Sequence, residues 1–261
     1  MDGEQQDKDL VMPVRVSAFD KLINQGGIER GNTILLVGGC GSGKTIFSMQ
    51  SLYNACLAGE KVVYFTLEES DEKIRRHMKK NFGWDIEEQE AKGLFYLKKI
   101  DPYELVKEIE LTLVEYRRKD SVSLAEILNT HPEISLIDAK GIELPFHPDR
   151  IVIDSVSALY SAFSDKDSYR VCMQLLISAL NAHNSVNLII LETEQEPDRY
   201  STFGSEEFIV DGVVTLYNLR RGQLRRRAIE IVKLRHSGHV TDMVPYRIGP
   251  EGFTIMVGEK L

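Results

Sequence analysis

The octapeptide Gly38-Gly-Cys-Gly-Ser-Gly-Lys-Thr45 constrains what this chain can fold into more than any other stretch. Its spacing, a glycine, four residues, then Gly-Lys-Thr, is that of a loop that wraps a polyphosphate. Before it, Thr33-Ile-Leu-Leu-Val37 is a short β-branched and apolar run that reads as a buried parallel strand. After it, Ile46, Phe47, Met49, Leu52, Tyr53 and Leu57 suit a helix packed on a sheet. The loop needs that context. Glycines let successive N–H groups turn toward an anion, and the following helix aims its positive end at the same place. Gly39, Cys40, Gly41, Ser42 and Gly43 then form the cradle, Lys44 reaches the β and γ phosphates of a nucleotide, and the Thr45 hydroxyl serves Mg²⁺. A glycine-rich turn that matches by chance is the plain alternative, and both flanks argue against it.

The 261 residues suit one large α/β domain with a substantial core. No run approaches the ~18 apolar residues of a membrane helix, so no membrane role is expected. Residues 1–12 are acidic and polar and read as a disordered or loosely docked tail, unlike a secretory signal, leaving 13–261 as the folded domain. Cys40, Cys56 and Cys172 lie far apart without metal-ligand spacing, which fits reduced thiols in a cytoplasmic protein, with Cys56 and Cys172 as small buried hydrophobes. A formal charge of −8 argues against a protein whose main task is coating nucleic acid.

Strand-like runs are expected at Thr33–Val37, Lys61–Thr66, Leu94–Leu97, Arg150–Asp154 and Val186–Leu191. Helical patterns separate them at Lys44–Leu57, Asp71–Asn81, Pro102–Arg118 and Ser168–Asn184. That alternation predicts a mainly parallel central sheet flanked by helices, with right-handed crossovers. From Phe208 the texture changes. Phe208–Leu219 and Arg225–Leu234 read as strands around the turn Arg220–Leu224, followed by Met243–Ile248 and Gly252–Val257. These predict an antiparallel β extension at the C-terminal side. Lys119–Asp149 is a long connection, with a short helix expected over Ser121–Asn129 and loop over His131–Pro148.

Hydrolysis needs groups that the loop does not supply. The strand Arg150-Ile-Val-Ile-Asp154 ends in a carboxylate, at the edge where open α/β sheets bind ligands, and Asp154 there can hold Mg²⁺ or its water. A helix cap is the bland role for such an Asp. Thr66-Leu-Glu68-Glu69 closes the strand after the loop helix, and a carboxylate at that place can orient and deprotonate an attacking water. Glu68 is the favoured base; Glu69 shares the task or serves as an acidic first turn for the next helix.

In order along the chain, the phosphate loop, the Glu68-Glu69 pair, Ile153-Asp-Ser155, Gly204-Ser-Glu-Glu-Phe-Ile-Val-Asp-Gly-Val213 and Lys233-Leu-Arg-His-Ser-Gly-His239 resemble the KaiC-like branch of the RecA/RadA ATPases. Phe19–Gly31 is similar to that family's lead into its first strand, and the likeness runs from about residue 16 to 257. The resemblance implies a RecA-type P-loop NTPase core, ATP and Mg²⁺ as ligands, and a homo-oligomeric ring, usually a hexamer, with nucleotide between neighbours. It also implies that Lys233 and Arg235 act as cations on the next subunit's phosphates, with His239 a nucleotide contact. One departure is His236, where the family usually has glycine. The family's clock members phosphorylate an adjacent Ser-Thr pair; the matching positions here are Glu207-Phe208, which argues against autokinase activity.

The favoured function is therefore a slow ATPase acting as a regulatory switch. A RadA-paralogue accessory factor in DNA repair and an ATP-sensing scaffold are the competing readings, with a protein partner in repair or signalling. Single-stranded DNA is not favoured by the acidic stretch Glu192–Phe203. Arg220, Arg221, Arg225, Arg226 and Arg227 form a basic cluster suited to solvated hairpin charge, an acidic neighbouring subunit, or nucleic acid.

Overall fold

The structure, a computed structural model, describes residues 10–107, 144–163, 166–193, 206–221 and 223–259. Among these, nine strands share one sheet: β3 (Thr33–Gly38), β4 (Val62–Thr66), β5 (Phe95–Lys99), β6 (Arg150–Asp154), β7 (Val186–Glu192), β8 (Gly212–Arg221), β9 (Leu224–Leu234), β10 (Val244–Gly249) and β11 (Gly252–Ile255). Their order is β11-β10-β9-β8-β3-β7-β6-β4-β5. The pairs from β8 through β5 are parallel, and those among β8, β9, β10 and β11 are antiparallel. The expected architecture is present.

Burial on both faces explains why the central strands read as unbroken apolar runs. Ile34, Leu36, Tyr64, Val152 and Ile190 pack on one side with Phe47, Met49 and Leu52 of α1 (Lys44–Leu57). Leu35, Val37, Val63, Ile151, Ile153 and Ile189 face the other way, toward Cys172, Met173, Leu176 and Leu180 of α5 (Lys166–Ala182). Between these helices in sequence lie α2 (Asp71–Phe82), α3 (Ile86–Ala91) and the short α4 (Ser157–Tyr160). Ser70 caps α2 by accepting the Lys73 N–H, and Gly83 ends it in the left-handed conformation at φ 72°. Cys56 and Cys172 are buried as expected, and burial pushes the Cys56 thiol up to about 12, which makes it inert.

The antiparallel extension is fastened to the loop helix. Phe253 on β11 meets Phe47 edge-on at 5.2 Å and stacks on Tyr246 at 4.1 Å. Gln50 of α1 accepts the Phe253 N–H at 2.6 Å and donates to its carbonyl at 3.2 Å. These contacts set the back wall of the phosphate loop.

Several boundaries differ from expectation. The strand expected from Phe208 starts at Gly212; Phe208 instead lies on α6 (Glu206–Ile209), where its ring is exposed. The apolar triplet Phe208-Ile-Val210 mimicked a strand. Pairing with β3 begins only where the Asp211 N–H reaches the Thr33 carbonyl at 2.9 Å. Helix α3 was not foreseen because it is short and acidic; Asp85 caps it through the Glu88 N–H at 3.2 Å. Val11–Met12, placed in the tail by sequence, form β1 and pair with β2 (Ile28–Glu29), burying Met12. The docked chain thus starts two residues earlier than the expected boundary. Residues 102–107 are helical. The rest of the helix expected over Pro102–Arg118, the one over Ser121–Asn129 and most of the following loop lie outside the described residues, as does the acidic stretch from residue 194 to 203.

Candidate nucleotide site

Four parallel strands end at one edge, and each contributes to a single pocket of about 290 Å³. From β3 and the turn after it come Gly41, Gly43, Lys44 and Thr45; from beyond β4, Glu68 and Glu69; from β6, Asp154; from β7, Glu192. Glycine is required at two points of the loop. A Cβ on Gly38 would lie 2.5 Å from the Leu216 carbonyl, because β8 runs directly alongside. Gly43 has φ 94°, and a Cβ there would also lie 2.4 Å from Ile248 of the extension. The back of the loop is held by Tyr246, whose hydroxyl donates to the Ser42 carbonyl, and by Arg227, which donates to the Gly41 carbonyl at 3.3 Å. Ser42 is buried, whereas Cys40 is exposed and in no disulfide.

Lys44 is 6% exposed, and its ammonium donates to the carbonyls of Gly38 at 2.8 Å and Gly39 at 3.1 Å. Glu192 lies 3.4 Å from the same nitrogen. The Thr45 hydroxyl donates to Asp154 Oδ2 at 2.7 Å, and the buried Tyr64 hydroxyl donates to the same oxygen. Burial raises the Asp154 carboxyl above its ordinary value, outweighing the hydrogen bonds from Tyr64 and Thr45, and the Glu68 charge pushes the same way. A divalent cation at this point would offset both effects. Hard oxygen donors on Thr45 and Asp154 suit Mg²⁺, which takes few protein ligands beside phosphates, so the residues present fit that ion.

The two adjacent glutamates are not equivalent. Glu69 is paired with Lys73 at 2.6 Å, and its N–H donates to the Thr66 hydroxyl at 3.1 Å. Glu68 accepts the Ser155 hydroxyl at 2.6 Å through Oε1. Ser155 directly follows Asp154, so this hydrogen bond links the segment after β4 to the end of β6.

Lys233, Arg235 and His239 do not line this pocket. Lys233 donates to the carbonyls of Glu207 at 3.0 Å and Val210 at 2.6 Å, and burial, then the Arg235 charge, pulls its pKa down. Arg235 is exposed, 3.5 Å from Asp211 and from the Phe208 carbonyl. His239 pairs by a single bridge with Ile23. His236, the departure from glycine, has φ 64°, so this histidine adopts the left-handed backbone that glycine favours. Glu192, Tyr64, Tyr246 and the loop contact of Arg227 escaped sequence reasoning. Each depends on strand pairing, and Arg227 was only one of five clustered arginines.

Among the described residues no helix is long and apolar enough to cross a membrane. The chain is 29% identical over 238 residues to the circadian clock oscillator protein KaiC of Parathermosynechococcus lividus, covering 89% of this chain and 40% of that protein. It is 30% identical to the circadian clock protein KaiC3 of a Synechocystis strain, covering 89% and 43%. It thus spans under half the length of these relatives. A crystal structure of a KaiC-like protein from Pyrococcus horikoshii OT3 superposes with a TM-score of 0.73 at 28% identity, covering 94% of this chain and 98% of that one. The family described as "ATPase: KaiC" matches residues 12–260. With nearly the whole chain matched and the phosphate loop in its strand–loop–helix frame, the protein belongs to the KaiC family of RecA-type P-loop ATPases.

Proposed function

We propose that the chain binds ATP with Mg²⁺ in this pocket and hydrolyses it slowly, as a nucleotide-dependent switch in a homo-oligomeric ring. The observation that carries the reading is the convergence of Lys44, Thr45, Asp154 and Glu68 on one pocket from three separate segments. Lys44 Nζ neutralises phosphate oxygens, and the loop N–H groups orient them. When bound through Thr45 and Asp154, Mg²⁺ supplies charge neutralisation on the phosphates. Glu68 is the base: Ser155 occupies Oε1, which leaves Oε2 to accept a proton from the attacking water. Glu69 is less suited, because Lys73 already neutralises it. Water is the phosphoryl acceptor, since Glu207 and Phe208 offer no hydroxyl where an autokinase would need one.

Lys233, Arg235 and His239 belong, in this reading, to the nucleotide site of the adjacent copy. Their position outside their own pocket and the exposure of Arg235 support it. A ring of six in the cytoplasm is the assembly that the resemblance implies. Turnover is then gated by assembly, because part of the transition-state charge must be met by a neighbour.

The decisive experiment mixes two variants. Arg235→Ala should keep ATP affinity within about threefold and lose hydrolysis by about a thousandfold. Adding Glu68→Gln subunits should restore part of the rate, because mixed interfaces regain one intact base and one intact arginine. Wild-type turnover by Arg235→Ala alone would rule out the trans role. Native mass measurement with and without ATP–Mg²⁺ gives the ring size.

A further inference from the structure

Glu192 is the pocket residue to which neither the loop motif nor the proposed hydrolysis gives a task. It ends β7, and its strand register pairs it directly with Gly38, the first residue of the phosphate loop. Its N–H donates to the Ser157 hydroxyl at 2.8 Å, which holds the backbone in place. From that position the carboxylate reaches into the pocket and lies 3.4 Å from the Lys44 ammonium. The glutamate side chain is 50% exposed, whereas the lysine is 6% exposed.

The charge around the pocket makes this contact consequential. Among the described residues, Glu68, Glu69, Asp154 and Glu192 line the wall together with the cation Lys44. Glu69 is paired outside the pocket with Lys73, whereas Glu192 approaches Lys44 itself. A polyphosphate needs the same ammonium, and so competes with Glu192 for it. A bare nucleotide anion also meets the repulsion of the Glu192 charge. A nucleotide that arrives with a divalent cation carries its own neutralising charge and meets far less of either penalty.

We propose that Glu192 is a specificity-determining residue that selects the metal-bound nucleoside triphosphate over free polyphosphate anions, by contesting Lys44. The inference rests on the nucleotide site proposed above and extends it to the form of the ligand. It makes metal dependence a property of the wall as well as of the metal ligands. A residue that merely ended a strand would have no effect on the ratio of metal-free to metal-bound affinity.

Equilibrium binding of ATP to the full chain tests it, measured once with excess EDTA and once with excess Mg²⁺. Glu192→Gln keeps the size of the side chain and the backbone bond to Ser157. It should tighten metal-free ATP by about tenfold and Mg²⁺–ATP by less than about twofold. Inorganic tripolyphosphate in EDTA should show the same gain, because the contest is over phosphate. In a Lys44→Ala background the gain should shrink to the part that direct repulsion supplies, since the contest itself runs through that ammonium. Glu192→Ala provides the same comparison with a different side chain. An unchanged or weaker metal-free affinity in both variants overturns the proposal, as does an equal gain with and without metal. Wild-type protein that binds no ATP even with Mg²⁺ would overturn the nucleotide site itself, a result distinct from either.

Discussion

The two ends of strand β6 use charge in opposite ways. At its start, Arg150 is 2% exposed, and its guanidinium meets Glu60 at 2.6 Å and the Pro13 carbonyl at 2.7 Å. Arg15 closes on the same glutamate at 2.7 Å. Beside it, Asp149 accepts from Arg30 at 2.7 Å and from the Lys61 N–H at 2.9 Å. Every carboxylate in this group has a cation, and the group ties the N-terminal segment, β4 and β6 together. Five residues along, Asp154 has hydroxyl donors and a nearby glutamate, and its pKa is raised. One end of the strand is neutralised and structural; the other, in the nucleotide site proposed above, leaves carboxylates for a ligand that brings positive charge. In that reading, stability and function are separated along about one strand length of chain.

That contrast can be broken by mutation, and the largest effect belongs to the structural end. Arg150→Ala should cost about 3–5 kcal/mol in urea unfolding, because Glu60 would stay largely buried with one cation fewer. A loss below 1 kcal/mol would mean that this end is not the anchor. At the functional end, Lys44→Ala should weaken ATP binding at least about a hundredfold, near 2.7 kcal/mol, with little change in the urea midpoint. Unchanged ATP affinity would remove the phosphate-loop assignment. Asp154→Asn sharpens the comparison further. A carboxyl whose folded pKa is raised costs stability above that pKa, so the substitution should stabilise the nucleotide-free protein at pH 7 by up to about 1 kcal/mol. The gain should disappear below the ordinary value of 3.8, while the enhancement of ATP binding by Mg²⁺ falls at every pH. Destabilisation at pH 7 on the scale of Arg150→Ala would erase the distinction between the two ends.

The smallest effect concerns Asp149. Burial raises its pKa, but the Lys61 N–H and Arg30 outweigh burial and leave it below 3.8. Its contribution is therefore fully present above the unfolded value and lost as pH falls through the lower folded value. Asp149→Asn should flatten the acid limb of the stability curve below about pH 4 by under about 1 kcal/mol, since the pair is partly open to solvent. An unaltered acid limb would show that the pair with Arg30 contributes nothing.

Much of this was legible in the chain before any coordinates, for a local reason. The P-loop, the run into Asp154 and the Glu68-Glu69 pair are each contiguous, and the backbone geometry they demand is encoded within a few residues. Strand limits came out close for the same reason, because buried parallel strands are written as unbroken apolar runs. Phe208 shows the weakness of that signal: three apolar residues looked like a strand, yet pairing partners exist only from Gly212 onward. The mixed character of Lys233 was equally hidden. Its positive charge is plain in the sequence, but the carbonyls of Glu207 and Val210 that it holds lie more than twenty residues away.

By itself, then, the sequence determined the kind of ligand loop, the α/β frame and the segments able to carry a base and a metal-binding carboxylate. Each of these is a local pattern of glycine, charge and apolar residues. Only the tertiary structure decided which of two adjacent glutamates bonds the Ser155 hydroxyl and which tyrosines support the site. It also decided that Glu192 shares the cation of the phosphate loop. Those facts depend on which strand lies beside which, and strand order is set by packing between distant parts of the chain.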